Sequence, residues 1–141
     1  MDGEVAEQIA TLLNNRNELT RKYNAARVLE HADSYLYLTQ STEVSACIRL
    51  SRVQWYQVEL HHLTVAELYE GRGYGRKLVR RALTQAEEQG ARIAQCTIRE
   101  GNARSEGLFI SEGFGRSCVF FNQASGNTVS VLQKALVLPP T

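Results

Sequence analysis

Net charge is almost absent from this 141-residue chain, in which 16 Lys and Arg stand against 15 Asp and Glu for a formal +1 at pH 7. No global field therefore draws it to nucleic acid or to an anionic membrane, and any basic effect must be local. Cysteine is scarce as well. Cys47, Cys96 and Cys118 are an odd number without paired spacing and sit in apolar, strand-like runs. They imply neither a disulfide nor a zinc framework, and they suit the reduced thiols of a cytosolic protein. No stretch approaches the roughly 18 consecutive apolar residues of a membrane span, and the opening residues lack the positive-then-apolar layout of a secretory signal. A soluble, cytoplasmic protein is expected, with no metal, membrane or nucleic-acid partner. Repeats, low-complexity runs and linkers are also missing; Pro139 and Pro140 mark a tail expected to fray. At this length one hydrophobic core fits and two do not, so residues 1–141 read as a single domain.

What is present is periodic. Val5, Ile9, Leu12 and Leu13 share one face of a first helix that Asn14, Asn15 and Asn17 are expected to break. A second helical segment is expected over Leu19–His31. Tyr35–Thr39 reads as a strand joined through Gln40–Thr42 to a second, in which Val44, Ala46, Ile48 and Leu50 alternate with more polar residues. A third strand is expected from Gln54 to Val65, with Trp55 and Tyr56 either lining an acceptor pocket or, as is commoner at the start of a central strand, in the core. The clearest helix runs from Gly75 to Gln89, with Leu78, Val79, Ala82, Leu83 and Ala86 on one stripe and Lys77, Arg80, Arg81, Gln85 and Glu88 outside. Then come a strand over Ala91–Arg99, a short helix over Asn102–Glu112, and a hairpin of Ser117–Asn122 with Thr128–Leu136 across Gly126 and Asn127. The fold class is mixed α/β, one central sheet with helices on its faces.

The run Gly71-Arg72-Gly73-Tyr74-Gly75-Arg76 lies between a predicted strand and this amphipathic helix. Alternate glycines let successive N–H groups turn inward, and the helix N-terminus adds partial positive charge, a combination suited to a pyrophosphate. A tight strand-to-helix turn that binds nothing has the same pattern. It is not a P-loop, since no Lys-Ser or Lys-Thr follows, and a dinucleotide fingerprint would need glycine at Leu78. A second block, Asn102 to Phe114, has an Asn suited to capping a helix and a Gly113-Phe114 stop.

Together, in this order and at this distance, the two blocks resemble those of the GNAT acyltransferase superfamily. Glu70 to Gly75 follows its R/Q-x-x-G-x-G/A signature at both glycines, and Asn102 to Phe114 follows N-x-x-[SA]-x-x-L-[YF]-x-x-x-G-F. The resemblance implies a GNAT-like acyl-CoA fold with an atypical helical N-terminus, since the family's chains usually open with a strand and none is recognisable here. It implies acetyl-CoA as co-substrate, held by Leu63, Thr64 and Val65, by Gly71, Arg72, Gly73, Tyr74, Gly75 and Arg76, and by Asn102, Ser105 and Phe109. An N–H of the Leu63 strand would stabilise the oxyanion that forms when an amine attacks. Glu70 departs from the signature; a carboxylate beside a pyrophosphate repels it unless it turns to solvent.

The implied reaction is acetyl transfer to a primary amine on a protein, peptide or small molecule by direct attack in a ternary complex. A lysine-like amine, with a pKa near 10.4, must lose a proton first. Glu59 lies 13 residues before Arg72, the offset of the strand glutamate base in the histone-acetyltransferase branch, and is expected to act through a water. An outward-facing strand glutamate is the competing account. Adjacent strand residues His61 and His62 diverge, so at most one faces the cleft and neither forms a metal pair. Phe109 stands where many family members carry a tyrosine acid, and Cys96 lacks an activating base. The competing function is a GNAT-fold module that binds acyl-CoA or a protein partner without catalysis. The C-terminal hairpin also suits a homodimer.

Overall fold

The computed structural model describes residues 1–17, 19 and 21–136; the Pro139-Pro140 tail lies outside the described residues. Helix α1 (Gly3–Arg16) starts where Asp2 accepts a hydrogen bond from the Val5 N–H at 2.8 Å, and it buries Ala6, Ile9, Ala10, Leu12 and Leu13. It passes through Asn14 and Asn15, expected to end it. Asn14 is tolerated because its amide is used elsewhere, donating to the Tyr23 carbonyl and accepting from the Tyr23 N–H, both at 2.8 Å. The segment joined to α1 in this way is not helical. The expected second helix shrinks to α2 (Ala25–Leu29), capped by Asn24, and a single 3-10 turn at Ala32–Ser34.

Six strands form one sheet: β1 (Tyr35–Gln40), β2 (Glu43–Gln54), β3 (Gln57–Val65), β4 (Ile93–Arg99), β5 (Gly115–Asn122) and β6 (Asn127–Ala135). Their order is β1-β2-β3-β4-β6-β5, antiparallel throughout except for the parallel β3–β4 pair. Gln54 closes β2 instead of opening β3, because it pairs with Gln57 across a two-residue turn. Trp55, expected in the core, therefore sits in that turn, 66% exposed, with the Arg92 guanidinium 5.3 Å from its ring centroid. No strand precedes α1 among the described residues.

Helix α3 (Tyr74–Glu88) buries the five residues its periodicity picks out, together with Gly75. They pack on Ala46, Ile48, Leu50, Val58 and Leu60, and Phe109 of α4 (Ala103–Ser111) joins the same cluster. Cys47, alternating with Ala46 and Ile48, faces the other way into a second cluster under α1 and α2. The sheet is thus covered on both faces at β1–β3, and β4 carries the α3 side toward α4. At the far edge β5 is exposed along nearly its whole length, Cys118 included. This is the mixed α/β architecture expected from the alternation of helices and strands.

Candidate functional site

The site begins where two parallel strands part. Gln57–Leu60 pair with Ile93–Cys96, and there the β3–β4 register ends. At the same level β3 carries one residue more than β2, since Arg49 pairs with His61 but Cys47 with Thr64. The extra residue is absorbed at His62, whose φ of 55° lies in the left-handed region. A non-glycine residue there costs about 1–2 kcal/mol, so the surroundings must hold it. Thr64 Oγ1 donates to the His62 carbonyl at 2.9 Å and receives Asn17 Nδ2 at 3.1 Å, while the Tyr23 hydroxyl meets His62 Nε2 at 3.1 Å. The bulge turns Leu63–Val65 away from β4 and opens a wedge between the strands.

One side of the wedge is a cavity of about 520 Å³. Leu63, Thr64 and Val65 line it, as do Gly71, Gly73, Tyr74, Gly75, Arg76, Asn102 and Ser105. Gly73 caps α3 at φ 80° without a side-chain hydrogen bond, and the first intrahelical bond is Lys77 N–H to the Gly73 carbonyl at 3.1 Å. The N–H groups of Tyr74, Gly75 and Arg76 thus have no carbonyl one turn back. Gly75 sits close under its neighbours: a Cβ there would lie a tight 3.3 Å from Leu108 Cδ2 and in ordinary contact, 3.7 Å, with Leu63 and Val65. Arg72 is not on this wall; its guanidinium stacks 5.2 Å from the Tyr69 ring. Arg16 and Arg104, which sequence reasoning passed over, are on it. Both grip Glu70: Arg16 through Oε1, and Arg104 through Oε2 at 3.1 Å. The Glu70 carboxylate thus escapes the expected repulsion by pairing with two arginines in the cavity wall rather than by turning to solvent. A larger groove of about 720 Å³ between β1 and the outer face of α3 shares only Gly73 and Arg76 with this cavity.

The other side of the wedge is a cavity of about 570 Å³. Leu60, His62, Leu63 and Cys96 form its depth, with Phe109, which is buried and edge-on to Phe114 at 5.1 Å. Asn15, Asn17, Asn122, Ser125 and Asn127 form an amide and hydroxyl rim, Arg16 and Arg99 also line the cavity, and no lining residue is acidic. Asn102 and Ser105 border both cavities. The Asn102 side chain also accepts the Ser105 N–H at 3.3 Å, so capping α4 and lining the cleft are one arrangement.

The titratable groups divide by position. Glu59, paired with Gln95 below the parting of the strands, lines neither cavity. Burial raises its carboxyl pKa above the usual value, and the Gln95 amide, donating at 3.2 Å, opposes that rise. Gln95 in turn accepts from Gln133 at 2.6 Å. Of the two histidines only His62 reaches the cleft. His61 meets Ser51 Oγ at 2.7 Å, and the bulge holds the two rings 6.1 Å apart, closer than strict alternation would. Burial, then His62 and Arg49, press His61 down to about 4; burial, then Arg49 and Arg27, lower His62. Both imidazoles are neutral at pH 7. Burial, with a smaller push from Glu59, holds the Cys96 thiol at about 12, which leaves it inert as a nucleophile.

A model of the acetyltransferase (GNAT) family matches residues 6–114. No curated protein matches the chain in sequence. Among solved structures, Ard1 from Thermoplasma volcanium superposes with a TM-score of 0.85 at 17% identity, over 97% of this chain and 95% of its own. The ribosomal-protein-alanine N-acetyltransferase from Brucella melitensis gives 0.84 at 16%, over 96% and 97%. A GNAT family acetyltransferase from Elizabethkingia anophelis with acetyl-CoA bound gives 0.75 at 14%, over 89% of each. At these identities the likeness is one of fold; the family match covers most of the chain, and the chain belongs to the GNAT acetyltransferase family.

Proposed function

We propose that this member of the GNAT family transfers an acetyl group from acetyl-CoA to a primary amine on a protein or peptide, by direct attack in a ternary complex. The observation that carries the reading is the shared border of the two cavities: Leu63, Asn102 and Ser105 belong to both, at the point where β3 leaves β4. An acyl donor in one cavity and an amine in the other meet there. The donor-side cavity fits a long polyanionic thioester, with three helix N–H groups lacking intrahelical partners, two left-handed glycines and three arginines against one glutamate on its wall. Acetyl-CoA would supply the activated acetyl group. Gly71–Arg76 would hold its phosphates, and Leu63–Val65 with Asn102 its thioester-bearing arm.

The acceptor must arrive as a free base. Glu59, with its carboxyl pKa raised by burial, is the acid–base group that the strand offset favours, acting through water. A specific observation favours His62 as the nearer proton acceptor: it lines the acceptor-side cavity and is neutral at pH 7, while Glu59 stands outside. Phe109 offers no proton to the departing thiolate, and with a thiol pKa near 8.5 that leaving group needs little help. The amide-rich rim, with no carboxylate on it, matches a peptide backbone better than a polycation. The Brucella relative, named for a ribosomal-protein acceptor, is consistent with that choice.

The test is thiol release from acetyl-CoA on adding N-terminal and lysine peptides, polyamines and no acceptor. Peptide-dependent release is the expected result. Tight acetyl-CoA binding with no amine-dependent release from any acceptor would make the chain a binding module and overturn the enzyme reading.

A further inference from the structure

The residue that breaks the family signature is the one the structure surrounds with charge. Glu70 stands where the resemblance expects Arg or Gln, on the wall of the donor-side cavity. Its two carboxylate oxygens are taken by different helices: Arg16, the last residue of α1, and Arg104, near the start of α4. The Glu70 side chain is 26% exposed and that of Arg16 34%, so this pair is screened less than a surface pair. Arg104 needs such a partner, because a cation in the first turn of a helix opposes the helix dipole. Arg72, the arginine of the glycine loop, is meanwhile diverted onto Tyr69.

We propose that Arg16 and Arg104 are phosphate-binding residues of the donor site and that Glu70 is their positioning residue. The inference rests on the reading of the cavity as an acetyl-CoA site. Glu67 also approaches Arg16, but only at 4.0 Å and with its side chain 85% exposed, so solvent screens it; the one close carboxylate between two guanidiniums leaves positive charge at the signature position, and a carboxylate there recruits two cations from distant segments in place of the single side chain it lacks. Each guanidinium keeps N–H groups beyond the one that meets Glu70, and a phosphate oxygen can take them.

The experiment is calorimetric titration of the full chain with acetyl-CoA, at low and high salt, beside acetyl-pantetheine, which has the same thioester and no phosphate. Arg16→Gln and Arg104→Gln should each weaken acetyl-CoA roughly tenfold, flatten its salt dependence, and leave acetyl-pantetheine unchanged. Unchanged acetyl-pantetheine binding also certifies that each variant is folded. Glu70→Gln should weaken acetyl-CoA several-fold, roughly 3-fold or more, although it removes a negative charge; in an Arg16→Gln, Arg104→Gln background the same change should strengthen it. That reversal of sign separates positioning from repulsion. If Glu70→Gln tightens acetyl-CoA in the otherwise unaltered chain, or if the arginine changes have no effect, the proposal falls and the function stands. If the unaltered chain binds no acetyl-CoA, both fall.

Discussion

The two cavities that meet at the parted strands share Arg16, Asn17, Leu63, Asn102 and Ser105 and differ in what surrounds them. The donor side combines glycine backbone, a helix N-terminus and the arginines Arg16, Arg76 and Arg104; the acceptor side combines apolar depth with an asparagine-rich rim, Arg16 and Arg99, and no carboxylate. Both walls carry arginine, and Arg16 borders the two cavities alike; what separates them is the glycine backbone and helix N-terminus on one side and the amide-rich rim on the other. The contrast teaches that a chain of net charge +1 can present a cationic site locally without any global field.

The sharpest way to break the comparison is to disable the proton acceptor of the acceptor side, next in chain to the shared Leu63. His62→Gln should lower kcat roughly 100-fold with little change in acetyl-CoA affinity, and Glu59→Gln should lower it less. The reverse order in stopped or continuous thiol-release assays would return the proton to Glu59. Next, Gly75→Val should raise the acetyl-CoA Kd at least about tenfold and leave an acceptor-side effect only through that loss, because its side chain enters the space of Leu63, Val65 and Leu108. Asn127→Asp would place a carboxylate on a rim that has none. It should shift the ratio of kcat/KM values from peptide toward polyamine acceptors by about three- to tenfold.

A further expectation concerns acid. His61 and His62 have lowered pKa values in the folded state, so the unfolded chain binds more protons as pH falls from about 6.5 toward 4. Stability present above that window is lost within it, and thermal unfolding should shift downward between pH 7 and 5. Glu59, with its pKa raised, acts in the opposite sense, losing stability as pH rises through its folded value. His61→Gln should flatten the acid slope, and Glu59→Gln should steepen it. The smallest effect belongs to Arg80, two-thirds exposed beside Glu112: Arg80→Ala should cost under about 1 kcal/mol and leave acetyl-CoA binding unaltered.

Legibility followed the reach of each interaction. α3 was readable because its stripe recurs within one helix, and the loop before it because Gly71 and Gly73 need positive φ values that glycine accepts locally. Trp55 was misjudged because an aromatic inside an apolar run is usually core, while the Gln54–Gln57 pairing that strands it in a turn is a matter of register. The Leu19–His31 helix failed because Asn14 ties down the chain at Tyr23 from outside the segment. Glu70 was recognised as anomalous, yet its partners were invisible, lying 54 and 34 residues away in sequence.

By itself, the sequence determined the mixed α/β class through periodicity and pointed to the GNAT family through the resemblance of its two motif blocks, since all of these are properties of short stretches. Only the tertiary structure decided which charges share the donor wall, that His62 reaches the cleft and Glu59 does not, and that a single bulge opens the space between β3 and β4. Those outcomes depend on strand register and on helices brought together from distant segments, and a pattern that repeats every two or four residues carries no record of either.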